Sequence, residues 1–337
     1  MNLSRNDLGV QFGGRKVLVT GGLGFLGQNL VVDLLAHGAE VTILDPAPIE
    51  PEFSLADVRL VREDIRQEQL LASLIEGQEV IFNLAGRSGV VASNDDPLGD
   101  LEINCRGQLA LLEACRRHNP SVRIIFPSTR LVYGKPLSLP VTEKHPLAPE
   151  SIYAAHKLAG ENYHLIFGRL YGPRVTVLRI SNPYGPLQAG GRHYGIANVF
   201  IQKACRGETI TLFGDGRQQR DFLYVRDLCE AMMLAASSER SIGQIYNIGA
   251  KSGTSLLELA QLAVATAGRG TIENVPWPAA YDKVETGDYR SDISLARQEL
   301  GWTPNTSLAD GVARTVQAYQ QTGLPPAEIP RGGEPSR

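Results

Sequence analysis

A chain of 337 residues, 43% of them hydrophobic, is long and apolar enough for one large folded domain or two coupled ones. Its formal net charge of −3 argues against nucleic acid or an anionic membrane surface as a partner. Cys105, Cys115, Cys205 and Cys229 are scattered without a Cys-x-x-Cys pair, so neither a metal site nor a disulfide framework is expected. There is no signal-like apolar core after Met1 and no run of about 18 apolar residues. The expectation is a soluble, cytoplasmic protein.

Residues 1–14 are polar and glycine-containing and read as a flexible arm. Lys16–Thr20 reads as a buried strand and residues 28–35 as an amphipathic helix. Between them lies Gly21-Gly22-Leu23-Gly24-Phe25-Leu26-Gly27. A second strand, Glu40–Leu44, ends at Asp45 and completes a βαβ unit. Such a turn lets the backbone approach a pyrophosphate at a helix N-terminus, where free N–H groups and the helix dipole favour anions. The bland alternative is a glycine-rich turn without a ligand; the strand, turn, helix and terminal acid in order argue against it. Asp45 stands where an acid takes the adenosine ribose hydroxyls, and its charge would repel a 2′-phosphate, so NAD is expected rather than NADP.

Val58–Val61 is a third strand, followed by Asp64, either a helix cap or a group facing adenine. Residues 79–85 form a fourth strand, and Gly86-Arg87-Ser88-Gly89 a small-residue loop on the edge where ligands collect in such sheets. A long helix is expected over 100–118, with Cys105 and Cys115 as packing residues, and a fifth strand over 122–126. The fifth strand delivers Ser128-Thr129-Arg130-Leu131-Val132-Tyr133-Gly134 to the same edge, although hydroxyls there are more often turn formers than catalysts. A proline-rich loop covers 136–149, a helix 151–171 and a sixth strand 175–180. Beyond it come loops, a helix over 196–206, a short strand over 210–213 and a polar turn over 214–221. A helix over 225–237, a strand over 244–248 and a helix over 256–267 follow. Residues 276–302 are expected to mix short strands with a final helix, and 323–337 to be disordered.

Tyr153 and Lys157 are four residues apart, which on a helix puts both on one face. A phenol is a poor base at neutral pH, and a nearby ammonium lowers its pKa, so the pair is a candidate proton-transfer device. Alone, Tyr-x-x-x-Lys is common by chance.

Taken together, the glycine turn, Asp45, Asp64, Ser128-Thr129-x-x-Val132-Tyr133-Gly134 and Tyr153-x-x-x-Lys157 resemble the extended short-chain dehydrogenase/reductase superfamily, in its nucleotide-sugar epimerase and dehydratase branch. Arg179-Ile180-Ser181-Asn182-Pro183-Tyr184-Gly185-Pro186, Gly214-Asp215-Gly216-x-Gln218-x-Arg220-Asp221-Phe222 and the closing Asp292…Trp302-x-Pro304 extend the likeness over residues 15–320. It implies an α/β, Rossmann-type doubly wound parallel sheet with a smaller mixed α/β C-terminal region. The cofactor domain would be 15–180 with returning segments at 222–260, and the nucleotide-sugar region 181–221 and 261–322. It implies NAD, contacted by Gly21, Gly24, Phe25, Leu26, Gly27, Asp45, Asp64, Ile65, Leu84, Ala85, Gly86, Asn104, Tyr153 and Lys157. Thr129, Tyr153 and Lys157 would be catalytic, with Lys157 lowering the phenol's pKa. Arg87, Ser88, Ser128, Thr129, Asn182, Arg220 and Lys283 would meet the sugar nucleotide. Helices over 100–118 and 151–171 would pair two subunits into a homodimer.

The departures discriminate. Dehydratases of this branch carry Asp-Glu after the threonine, where this chain has Arg130-Leu131; decarboxylases carry Glu at the second place. Removing water needs an acid near the leaving hydroxyl, and these residues supply none. A 4-epimerase acting on a UDP-sugar is therefore the leading expectation. A 4,6-dehydratase or 4-keto reductase is the enzymatic rival, and a non-catalytic NAD- or ligand-sensing protein the rival of another class.

Overall fold

A computed structural model describes residues 12–51, 53–187, 195–278 and 285–323. Seven parallel strands form the central sheet, β1 (Lys16–Thr20), β2 (Glu40–Leu44), β3 (Val58–Val61), β4 (Val80–Asn83), β5 (Arg123–Thr129), β6 (Arg174–Ile180) and β11 (Ile245–Ile248). Their spatial order is β11-β6-β5-β4-β1-β2-β3. Runs such as Val17-Leu18-Val19 and Ile124-Ile125-Phe126 are wholly buried because helices cover both faces. One face is covered by the helices Phe25–Ala36 and Val225–Ser237, together with Leu300 and Trp302. The other is covered by the helices Glu68–Ile75, Gly107–His118 and Ile152–Tyr171. The chain reverses winding between β1 and β4, which opens a crevice at their carboxyl ends.

A smaller lobe holds a separate core of Tyr184, Phe200, Ile201, Leu259, Val312 and their neighbours. Its helices are Ile196–Arg206, Leu256–Ala267 and Leu308–Thr322; β8 (Thr209–Phe213) pairs with β13 (Thr271–Val275) in parallel. Two short strands tie this lobe to the sheet's ligand edge: β7 (Asn182–Tyr184) pairs with β10 (Phe222–Tyr224).

Several sequence expectations are corrected. Phe12 is buried and stacks on Phe82 with ring centroids 6.3 Å apart, and Gly14 N–H bonds Gly38 O, so the chain is anchored from Phe12 onward. The helix expected over 100–118 is broken into Pro97–Leu101, a π-helical Glu102–Arg106 and Gly107–His118. The helix Leu256–Ala267 belongs to the small lobe, and Ser294–Leu300 returns to the sheet, the reverse of the boundaries read from sequence. Within 276–302 the described residues contain that helix and one isolated bridge, Val141 to Ser291, instead of short strands. The helices Glu68–Ile75, Val90–Asp95 and Leu308–Thr322 and the strand β7 were not foreseen. Residues 1–11 and 324–337 lie outside the described residues.

All four cysteines are free and buried. Among the described residues no group of His, Cys, Asp and Glu could hold a metal ion, and no helix is long and apolar enough to cross a membrane.

Candidate active site

The glycine turn is built by close approach. Gly21 has φ +68°, and a Cβ there would lie 2.9 Å from the backbone of Leu84 and Ala85. A Cβ on Gly27 would lie 2.3 Å from Gly21 O, so only glycine lets the first helical turn seat on the strand end. Gly24 differs: its Cβ would meet only Gly21 O, at 3.3 Å. Packing does not require glycine there, but Gly24 lines a cavity of about 320 Å³ with Gly21, Asp45, Asp64, Ile65, Leu84, Ala85, Gly86 and Arg87. Gly24 is also the N-cap of the helix Phe25–Ala36, which has no side-chain cap and no acid in its first turn. A bare backbone, an uncapped helix start and open space together suit a pyrophosphate.

Asp45 is held at the end of β2 by two backbone donors: Leu23 N–H to Oδ2 and Ala47 N–H to Oδ1, both 2.9 Å. Burial raises its pKa above the usual carboxylate range, against the pull of those bonds. Asn104, inside the π-helical turn, clamps the loop after β4: it donates to Arg87 O at 3.0 Å and accepts from Arg87 N at 3.2 Å. It also donates to the buried Asp100, which His156 Nδ1 contacts at 2.7 Å.

The Tyr153 helix begins at Ser151, whose hydroxyl accepts from Ala154 N. Two more of its free N–H groups are taken from outside: Tyr153 N donates to Ser93 Oγ at 3.0 Å and Ile152 N to Asn94 Oδ1 at 3.1 Å. The helix start is thereby tied to the helix Val90–Asp95, and the Tyr153 phenol lies within hydrogen-bonding reach of the Thr129 side chain. Burial pushes the phenol up to about 12, with the Asp100 charge adding and the Thr129 bond opposing. Lys157 is buried, and its ammonium lies 4.2 Å from the Phe126 ring centroid. Burial pushes it down to about 8, against the opposing charges of Glu161, Asp100 and Cys105.

Beneath these groups runs a buried network. Arg179 makes a forked pair with Glu161, Nη2 to Oε2 at 2.8 Å and Nε to Oε1 at 3.1 Å. Ser128 donates to Glu161, Arg179 to the Tyr133 hydroxyl at 3.0 Å, and Tyr133 to Asn247 Oδ1 at 2.7 Å. Toward the small lobe, Asn182 Nδ2 donates to Asp221 O at 3.3 Å. Arg220 is buried, donating to Gly287 O at 2.5 Å and pairing with Glu285.

The sequence profile of the NAD dependent epimerase/dehydratase family matches residues 17–249, most of the chain. The chain belongs to the NAD-dependent epimerase/dehydratase family. It is 34% identical over 315 residues to a UDP-glucose 4-epimerase of Mycolicibacterium smegmatis, covering 90% of this chain and 98% of that one. It is 32% identical over 320 residues to a dTDP-glucose 4,6-dehydratase of Streptomyces niveus, covering 90% and 93%. Among solved structures, the Thermus thermophilus UDP-glucose 4-epimerase in complex with NAD matches with a TM-score of 0.82 at 30% identity, covering 91% of this chain and 99% of that one. NAD is the cofactor, and the cradle at Gly24 and the acid at Asp45 suit it.

Within this epimerase/dehydratase frame the structure sorts the predicted residues. Gly21, Gly24, Asp45, Asp64, Ile65, Leu84, Ala85, Gly86 and Arg87 share one cavity. Phe25, Leu26 and Gly27 form the helix start behind it. Asn104 is engaged by the Arg87 backbone and Asp100 and so shapes the loop after β4. The Ser128 hydroxyl is bound to buried Glu161. Asp64 does not cap a helix; it makes a local turn with Arg66 N–H and pairs with the Arg66 guanidinium at 2.8 Å. Arg87 pairs with Asp96 at the surface, Ser88 is exposed, and Lys283 lies outside the described residues. The Lys157 ammonium rests on the Phe126 ring, and burial is the first cause of the pKa shift at both Tyr153 and Lys157. Sequence reasoning missed Ser93, Asn94, Glu161 and Asn247; only Ser151, a serine just before the helix, carried a local signal.

Proposed function

We propose that this chain is an NAD-dependent nucleotide-sugar 4-epimerase, acting on a UDP-sugar. The observation that carries the reading is the Thr129 hydroxyl at the end of β5 in hydrogen-bonding reach of Tyr153, followed by two residues that carry no carboxyl. A dehydratase needs an acid for the departing hydroxyl; Arg130 is a buried cation and Leu131 is apolar.

In this reading the Thr129 hydroxyl bonds the sugar's reacting oxygen and Tyr153 takes that oxygen's proton. When bound, NAD accepts the hydride from the same carbon and later returns it, and its positive ring is the charge that favours the phenolate. Lys157 orients the nicotinamide ribose. Tyr153 gives its proton back when the keto sugar is reduced on its other face. Arg220 and Asn182 hold the diphosphate and its neighbourhood, with Arg220 exchanging Glu285 for phosphate oxygens. Exposed Leu98, Ile166, Leu170 and Tyr171, on the helices flanking this site, support a homodimer through that face.

The test is incubation of the purified protein with UDP-, dTDP-, GDP- and CDP-sugars, without added reductant. Interconversion of C4 epimers with no net NADH supports the reading. A 4-keto-6-deoxy product, or turnover only with added NADH or NADPH, would sink it.

A further inference from the structure

Tyr153, His156 and Lys157 stand at i, i+3 and i+4 of the helix Ile152–Tyr171, so neighbouring side chains on it include all three. His156 meets Asp100, which lies on the short helix Pro97–Leu101 and is 1% exposed. His156 Nδ1 is 2.7 Å from Asp100 Oδ1. A carboxylate offers only lone pairs, so Nδ1 carries the hydrogen and donates it, in the neutral Nδ1–H ring as in the imidazolium. The same carboxylate oxygen accepts from Asn104 Nδ2 at 3.0 Å.

Asn104 carries the connection onward. Its amide brackets the Arg87 backbone, donating to O at 3.0 Å and accepting from N at 3.2 Å. A Cβ on Gly86 would lie 2.8 Å from Asn104 Oδ1, so the amide also presses against that glycine. Gly86, Arg87 and Ile103 line the cavity of about 320 Å³ that suits NAD; Asp100 and His156 do not. Three links therefore run from the Tyr153 helix to the wall of the cofactor cavity: His156 to Asp100, Asp100 to Asn104, and Asn104 to Arg87.

Packing alone would be served by an apolar side chain, because a buried carboxylate is costly to desolvate. Among the described residues the ion-pair partner of Asp100 is His156, whose side chain is 15% exposed. The charge also reaches the proposed proton-transfer pair. Burial first and Asp100 second push the Tyr153 phenol up, against the Thr129 bond. At Lys157 burial lowers the pKa, and the charges of Glu161 and then Asp100 oppose it. Cys105 feels the same carboxylate, with burial the larger cause.

We infer that Asp100 is a positioning residue: its carboxylate stands behind Tyr153 and Lys157 and, through His156 and Asn104, holds their helix in fixed relation to the loop that lines the NAD cavity. This rests on NAD as cofactor and on the proton-transfer role proposed above for Tyr153.

The test uses the full chain and NAD alone. Asp100→Leu removes the acceptor and is expected to weaken NAD binding, read by fluorescence titration, about tenfold, the scale of buried donors left unmet. Asp100→Asn keeps a carbonyl for both donors and is expected to hold NAD affinity within about threefold of wild type. Removing the charge should move the Tyr153 phenol to lower pH by about half a unit or more in Asp100→Asn. That shift is read as phenolate absorbance in the NAD complex, each protein being subtracted from its own Tyr153→Phe counterpart. Wild-type NAD affinity in Asp100→Leu overturns the inference, and so does an Asp100→Asn loss as large as that of Asp100→Leu. An unmoved phenol in Asp100→Asn also overturns it, by removing the carboxylate from behind Tyr153. Should Asp100→Leu fail to fold, His156→Ala takes its place: NAD binding should weaken about threefold although His156 does not line the cavity, and unchanged affinity overturns the inference. No sugar nucleotide enters these measurements, so their failure leaves the 4-epimerase reading standing, and the failure of that reading in the sugar panel leaves the links to the NAD loop untouched.

Discussion

Around Gly24 the ligand-facing surface is bare backbone; around Arg220 it is a cluster of charged side chains already paired with one another. The cofactor end is preorganised by sterics, with glycines at distances that no Cβ could share and an acid fixed by two N–H donors. The end proposed to take the substrate holds Arg220, Glu285, Arg130 and Asp221 near one another. A cofactor that remains through both half-reactions is served by a rigid cradle. A ligand that must enter and leave is served by partners it can displace, because each ion pair surrendered is replaced by a new one.

The sharpest test lies at Tyr153, where the two ends meet. Tyr153→Phe is expected to lower kcat by about 10³-fold, the upper part of the range for a lost acid–base group. NAD and UDP affinities, read by fluorescence and calorimetry, should stay within about threefold; a fully active variant would remove Tyr153 from the chemistry. Gly27→Ala attacks the cofactor end alone. With its Cβ 2.3 Å from Gly21 O, the turn must shift, lowering stability by about 2 kcal/mol and weakening NAD binding more than UDP binding. Equal losses for both ligands would erase the distinction between the ends.

Glu285→Gln attacks the substrate end alone. It keeps an acceptor for Gly287 N–H and removes the negative charge that competes for Arg220. UDP is expected to bind about threefold tighter with NAD affinity unchanged, and weaker UDP binding would contradict displacement of Glu285 by phosphate. The smallest effect concerns His164, buried beside β4 and β5. Its ring is buried, stacks on Phe126 at 4.1 Å, contacts Asn83 Nδ2 at 3.0 Å and Gly160 O at 2.8 Å. Burial pulls its pKa down to about 3 from 6.5. The unfolded chain therefore binds a proton that the folded chain refuses. Stability from this group is complete above pH 6.5 and is lost as pH falls toward about 3. His164→Phe should start less stable at pH 7 yet lose less melting temperature between pH 7 and pH 4; an unchanged acid slope would show that other groups set it.

Most of the sheet was legible in the sequence because its strands are short apolar runs bounded by turn residues, as at Lys16–Thr20 and Glu40–Leu44. The helix Glu68–Ile75 was harder because it is only eight residues long and has no side-chain cap, although Leu70, Leu71, Leu74 and Ile75 carry helical spacing; Asn182–Tyr184 reads as a turn because Asn, Pro and Tyr-Gly carry turn chemistry. The break at Glu102–Arg106 has no local breaker; the Asn104 contacts to Asp100 and Arg87 hold it. At the site, the glycine turn and Tyr153-x-x-x-Lys157 were legible because each is local. Glu161 to Arg179 and Arg220 to Glu285 were not, since partners 18 and 65 residues apart leave no spacing signal.

The sequence by itself determined the βαβ cradle, the acid at Asp45 and the placing of Tyr153 and Lys157 on one helical face. Backbone conformation and helical period follow from neighbouring residues, so these features need no long-range information. Only the tertiary structure decided what each charge meets. It put Ser128 on Glu161, the Lys157 ammonium on Phe126, and Arg220 on Glu285. It also buried Arg130 against the Thr286 hydroxyl and the Tyr289 ring. Desolvation and pairing depend on atoms brought together from distant parts of the chain, and burial is the first cause of the shifts at Asp45, Tyr153 and Lys157.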